Sequence, residues 1–142
     1  MDKTIKVSII IPVHNAEQFI RRSLEAVYGS DYDGYEVVVV DDCSNDKTPG
    51  ICADFPCRLI VLEKNRGSAA ARNKGAECAE GDVLFFTDAD VLLKKDTVRN
   101  MLEVLAENTD VSAVFGSYGL EAESSNFISV YKNIIHHYTH QI

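Results

Sequence analysis

Tryptophan is absent from this 142-residue chain, proline occurs three times, and positive charge is in the minority. There are 14 Lys and Arg against 22 Asp and Glu, a formal net charge of −8. That balance argues against sequence-independent binding to nucleic acid, which rests on Lys and Arg neutralising phosphates. It argues equally against electrostatic docking on an anionic lipid surface. A small anionic ligand stays open, because it needs only local positive charge or a metal. No apolar run reaches the length of a membrane span. The Val7–Val13 stretch is too short for a signal-peptide core, and Pro12 and His14 interrupt it. The expected compartment is the cytoplasm, with membrane association of a longer parent protein left open. The four cysteines (Cys43, Cys52, Cys57 and Cys78) include no Cys-x-x-Cys pair, so free thiols are expected.

Hydrophobic residues make up 46% of the chain and charged ones 25%, which suits one soluble domain with a real core. Val7–Pro12, Tyr35–Val40, Arg58–Leu62, Val83–Thr87 and Val111–Phe115 read as short, nearly continuous apolar strands. Helices are expected over Ala16–Tyr28, with Asn15 as N-cap, and from the Asp42–Pro49 loop through Ala53. Further helices are expected over Ser68–Ala79, capped by Ser68 and closed by Gly81, over Lys95–Glu107 and over Asn126–His140. Strands alternating with helices imply an α/β fold with a mainly parallel sheet covered on both faces. In such a sheet the ligand lies beyond the carboxyl ends of the strands, at the switch point between the first and fourth. That edge gathers Pro12-Val13-His14-Asn15, Asp41-Asp42 and Asp88-Ala89-Asp90.

The first turn, Pro12-Val13-His14-Asn15-Ala16-Glu17, holds no glycine, and no Gly-Lys-Ser/Thr occurs anywhere. Neither a dinucleotide fingerprint nor a P-loop is therefore present. A bound diphosphate would need another source of positive charge. In an extended chain, side chains at i and i+2 point to the same side, so Asp88 and Asp90 can converge on one cation or one polar ligand. Mn²⁺ or Mg²⁺ is met by one or two carboxylates plus phosphate oxygens. Asp31-Tyr32-Asp33 is a second Asp-x-Asp, but it sits in a polar, Gly-containing turn.

With these residues in place, the chain resembles a family 2 glycosyltransferase of the Rossmann-like GT-A fold. Four segments carry the resemblance: Val7–Asn15, Val37–Thr48, Asn65–Gly75 and Phe85–Asp90, in matching order and spacing. The resemblance implies that the Pro12–Asn15 backbone and the His14 ring border the nucleobase, with Glu17 nearby. It implies that Asp42 accepts from the base N3–H, favouring uridine, and that Asp41 shapes the same loop. Arg72 and its helix N-terminus would border the phosphates. Asp88 would contact ribose or sugar hydroxyls, Asp90 would be the direct metal ligand, and the metal would be Mn²⁺ or Mg²⁺. Family members more often carry Gly where this chain has Cys43.

Plainer readings stand beside these. Asp41 and Asp42 could merely cap a loop, and Arg66 and Arg72 could be solvated helix charges, although the shared mouth of the sheet favours the site reading. Cys43 reads as a small packing residue. His136 and His140 lie one helical turn apart, a metal-capable spacing, but the Glu of a His-Glu-x-x-His motif is replaced by His137, and a polar helix face accounts for them.

The chemistry the resemblance implies is inverting displacement at the anomeric carbon of a nucleotide-sugar donor, with a carboxylate base for the acceptor, a saccharide or lipid-linked hydroxyl. No second acidic motif supplies that base. The expectation is a donor-binding core over residues 1–119 and a helical segment over 120–142 leading to a missing acceptor half. Such a fragment would be inactive, with the acceptor base beyond residue 142. Phe127, Val130, Tyr131, Ile134, Ile135 and Tyr138 form an apolar stripe that would support a homodimer through residues 120–142. The alternative function is a non-catalytic module that binds sugar nucleotides or takes part in assembly.

Overall fold

A computed structural model of the chain describes residues 4–116. The expected terminal helix, its histidines and apolar stripe, and the homodimer surface over 120–142 lie outside the described residues. The elements run β1 (Val7–Val13), α1 (Ile20–Tyr28), β2 (Tyr35–Asp41), α2 (Thr48–Ala53), β3 (Arg58–Val61), α3 (Ser68–Cys78), β4 (Val83–Phe86) and α4 (Thr97–Glu107). The chain divides into two compact units, Met1–Val98 and Arg99–Ile142. The first unit carries the sheet with α1 to α3.

All strand pairings are parallel, and the sheet order is β3-β2-β1-β4. The chain builds outward from β1 to β3, then returns to place β4 on the other side of β1. Right-handed crossovers therefore put α3 on the face opposite α1 and α2. The packing agrees, for α3 lies against β1 and β2 while α1 lies against α2. Covered on both faces, β1 is buried at every position, which explains why its sequence is apolar without alternation. Each Val or Ile so buried is worth about 1.5–3 kcal/mol, so β1 and β2 carry most of the core. The edge strands β3 and β4 hold no fully buried residue.

One face of the core joins Ile10, Val38 and Val40 to Ala71 of α3. The helix rests on the sheet at Gly75, where an added Cβ would stand 2.4 Å from Ile10 Cγ2 and 3.3 Å from Val40 Cγ2. At the amino end of the sheet, Ser8 Oγ–H donates to Glu36 Oε1 (2.5 Å), and the Glu80 N–H donates to the same oxygen (2.7 Å). The Gly81 N–H donates back to Ser8 Oγ (2.8 Å), tying β1, β2 and the α3–β4 connection together. Burial works to raise the Glu36 pKa, but the Ser8 and Glu80 hydrogen bonds, with Lys6 and Arg58, hold it below the ordinary value. Beside α1, Tyr28 stacks on Phe55 with centroids 5.9 Å apart. Among the described residues its buried hydroxyl has no hydrogen-bond partner.

Several expectations need correction. Asn15 does not cap α1, which begins at Ile20 after a turn closed by the Phe19 and Ile20 N–H groups on the Ala16 carbonyl. The Asn15, Ala16 and Glu17 N–H groups are already satisfied by Ser44, Thr48 and Asp46, so no cap is required of Asn15. Ser68 is the first residue of α3 rather than its cap. Gly67 fills the cap position at φ 88°, a conformation natural only to glycine. The helix ends at Cys78, where Ala79 turns extended, ahead of Gly81. Residues 111–115 form no strand, and among the described residues no neighbouring ladder meets their backbone groups.

Candidate functional site

The order β3-β2-β1-β4 opens a switch point between β1 and β4. A cleft of about 250 Å³ lies there, lined by Pro12, His14, Asn15, Ala16, Phe19, Ala89 and Asp90. Its walls come from the loop after β1 and the turn after β4.

The first wall is held from below by the loop after β2. Asn15 sits at φ 48°, a left-handed conformation that Asn tolerates better than most residues. Its N–H donates to Ser44 Oγ (2.8 Å), and its side-chain oxygen accepts from the Asn45 N–H (2.8 Å). The Ala16 N–H donates to Thr48 Oγ1 (2.8 Å), and the Glu17 N–H to Asp46 Oδ2 (3.1 Å). In return the Lys47 N–H donates to Glu17 Oε2 (2.9 Å). Glu17 is thus engaged as a loop fastener. Burial tends to raise the Asp46 pKa, yet hydrogen bonds from the Thr48 side chain and from the Thr48 and Glu17 N–H groups hold it below the ordinary value.

His14 spans three segments. Its Nδ1–H donates to the Asp42 carbonyl (2.8 Å). A carbonyl can only accept, so Nδ1 carries the hydrogen and Nε2 accepts. The side-chain amides of Asn15 and Asn65 both approach Nε2 at 3.2 Å as donors.

Asp41 and Asp42 are both buried. Asp41 folds its own loop: one oxygen accepts the Ser44 hydroxyl and the other the Ser44 N–H (3.2 Å). Asp42 Oδ1 accepts from the Arg66 N–H and Oδ2 from the Gly67 N–H, each at 2.7 Å. Asp42 thereby fixes the turn that launches α3. Cys43 follows at φ 60°.

The strand ends at Phe86, and Asp88 to Val91 form a turn in which the Val91 N–H donates to the Asp88 carbonyl (3.1 Å). Extended-chain alternation therefore does not by itself set the directions of Asp88 and Asp90. Asp90 is exposed and lines the cleft. Asp88 is ion-paired with Arg72 of α3, whose Nη1 also donates to Ser68 Oγ (3.2 Å).

Among the described residues, no three His, Cys, Asp or Glu side chains form a metal-binding group. The site fits a hard cation only in part. Asp90, and Asp88 if released, would supply one or two carboxylate oxygens, with the remainder from phosphate and water.

Residues the sequence reading passed over include Phe19, 52% exposed at the cleft. Asn65, Ser44, Asp46 and Thr48 were also missed as partners of the first loop. Polar residues clustered between two apolar runs were the only signal they gave.

The family profile described as Glycosyl transferase family 2 matches residues 8–140. The chain belongs to that family. It is similar to the succinoglycan biosynthesis protein ExoO of Rhizobium meliloti (strain 1021), 35% identical over 127 residues that cover 82% of this chain and 36% of that protein. Among solved structures it is similar to S. aureus TarS 1-349 in complex with UDP-GlcNAc, with a TM-score of 0.69 and 29% identity. That match covers 83% of this chain and 39% of the other. It is also similar to the mannosyltransferase PcManGT of Pyrobaculum calidifontis in complex with GDP-Man and Mn²⁺, with a TM-score of 0.68 and 28% identity, over 94% of this chain and 39% of the other. The chain thus spans little more than a third of the length of each of these relatives. The fold is the GT-A glycosyltransferase fold, and the chain classes as a glycosyltransferase by this membership. Among the described residues, no helix is long and apolar enough to cross a membrane, and all four cysteines are free.

Proposed function

We propose that the chain is the donor-binding part of a transferase that moves a sugar from a UDP-sugar to an acceptor hydroxyl with inversion, assisted by Mn²⁺ or Mg²⁺. The observation that carries this reading is the cleft at the β1/β4 switch point, where His14 and Asn15 face Asp90. The nucleotide complexes of TarS and PcManGT support a donor of this class. On this reading the His14 ring and the exposed Phe19 ring wall the nucleobase. Each oxygen of Asp42 keeps a second lone pair beyond its backbone bond, and one of these accepts the uracil N3–H. Arg72 meets the diphosphate as its bond to the anomeric carbon breaks. A bound divalent cation would supply further positive charge to that leaving group. The acceptor oxygen forms the new bond from the opposite side and gives its proton to a base outside the 1–119 core. The free thiols fit a cytoplasmic setting.

Calorimetry with UDP, CDP and GDP, each with Mn²⁺ and with EDTA, tests the reading. UDP should bind at least about tenfold tighter than CDP, whose N3 has no hydrogen to give, a difference of about 1.4 kcal/mol. Mn²⁺ should strengthen UDP binding. Equal affinity for UDP and CDP, or preference for GDP, would overturn the base assignment. UDP binding unaffected by EDTA would overturn the metal assignment.

A further inference from the structure

The two acidic residues after β4 are not equivalent. Asp90 is open to the cleft, whereas Asp88 does not line it and is held by Arg72. Arg72 is itself steadied by Ser68, one helical turn earlier on α3. A guanidinium prefers a diphosphate to a single carboxylate, because phosphate oxygens offer more charge and equally good bidentate geometry.

We propose that Arg72 is a positioning residue that sequesters Asp88 in the free protein and releases it for a divalent cation only when a diphosphate takes the guanidinium. This rests on the donor reading above. Without nucleotide, a cation meets Asp90 alone, and Asp88 stays committed to α3. When the diphosphate recruits Arg72, Asp88 is left without its partner beside an anion. Repulsion then favours entry of a cation between them. Diphosphate and cation each lower the cost of binding the other, and the coupling is reciprocal. The chain would therefore not load metal from solution ahead of the donor, although its Asp-x-Asp looks complete in sequence.

A double-mutant cycle on Mn²⁺ binding, followed by the electron paramagnetic resonance of free Mn²⁺, tests this without any activity measurement. Without nucleotide, Arg72→Gln should bind Mn²⁺ at least fivefold tighter than wild type, while Arg72→Lys stays near wild type. Asp88→Asn should cost severalfold more affinity in the Arg72→Gln background than in wild type. With saturating UDP, the cost of Asp88→Asn in the otherwise wild-type chain should rise to match. Thermal melts of each variant establish that it is folded. An equal cost of Asp88→Asn in both backgrounds, or no gain from Arg72→Gln, overturns the exchange while leaving donor and metal binding intact. No Mn²⁺ binding even with UDP overturns the metal assignment, and the exchange with it.

Discussion

The Nδ1–H of His14 donates to the main-chain carbonyl of Asp42 at 2.8 Å, so one imidazole fastens the end of β1 to the end of β2 while walling the cleft. The ring therefore has two separable duties. His14→Ala should cost about 1 kcal/mol of stability, the net worth of a hydrogen bond, and weaken UDP binding about tenfold. His14→Phe restores the wall without the bond. It should recover part of the affinity and none of the stability. Chemical denaturation and calorimetry on the two variants separate these effects.

Cys43 adopts φ 60°, and its thiol makes only a long contact to the Glu63 carbonyl at 3.8 Å. The left-handed conformation costs a side-chain-bearing residue about 1–2 kcal/mol. Glycine gives back about 0.5–1 kcal/mol through its looser unfolded chain. Cys43→Gly should thus be stabilising by about 0.5–1 kcal/mol, seen as a higher denaturation midpoint. A lower midpoint would mean that the thiol contact outweighs the backbone strain.

Glu36 governs an acid limb. Burial alone would raise its pKa, but Ser8, the Glu80 N–H, Lys6 and Arg58 bring it below the ordinary 4.5. A lowered folded-state value means that the contribution is present above the unfolded pKa and is lost as pH falls through the folded one. The stability advantage of wild type over Glu36→Gln should be full at neutral pH and shrink as pH falls below the ordinary 4.5. Urea midpoints for both proteins across that range are the measurement, and a constant gap would refute the linkage.

Tyr28 presents the opposite case, a buried hydroxyl without a hydrogen-bond partner among the described residues. Burial first, then Cys57 and Tyr35, raise its pKa from 10.0 to about 12. The unfolded chain ionises first, so stability declines as pH rises through that interval. Tyr28→Phe keeps the stack on Phe55 and removes the unpaired group. It should be neutral or stabilising by up to about 1 kcal/mol and should flatten the alkaline decline. A loss of more than about 1 kcal/mol would reveal a partner for the hydroxyl.

The sheet was legible because β1 and β2 are apolar at consecutive positions, and only a strand covered on both faces needs that. The switch point followed from the alternation of strands and helices. Asn15 misled because a cap is a local motif, whereas its N–H and amide oxygen are met by residues about thirty positions away. The turn over Asp88–Val91 was not legible, because the apolar run before it does not mark where the ladder of β4 stops. The contacts of Glu17 and Asp46 were not legible in sequence, since nothing local announces that each meets the other loop's backbone. The apolar run at 111–115 shows that composition permits a strand but only a neighbour's ladder makes one.

The bare Cα of Gly75 sets the stand-off between α3 and the sheet. Arg72 lies three positions earlier on the same rigid rod. Whatever alters that stand-off therefore moves the guanidinium as well. A methyl group added in the core, out of reach of any ligand, would lift α3 from Ile10 and carry Arg72 away from Asp88. In this chain the reach of a surface cation is calibrated by the absence of a side chain in the interior, so on the proposed donor reading ligand binding and core packing share one dimension.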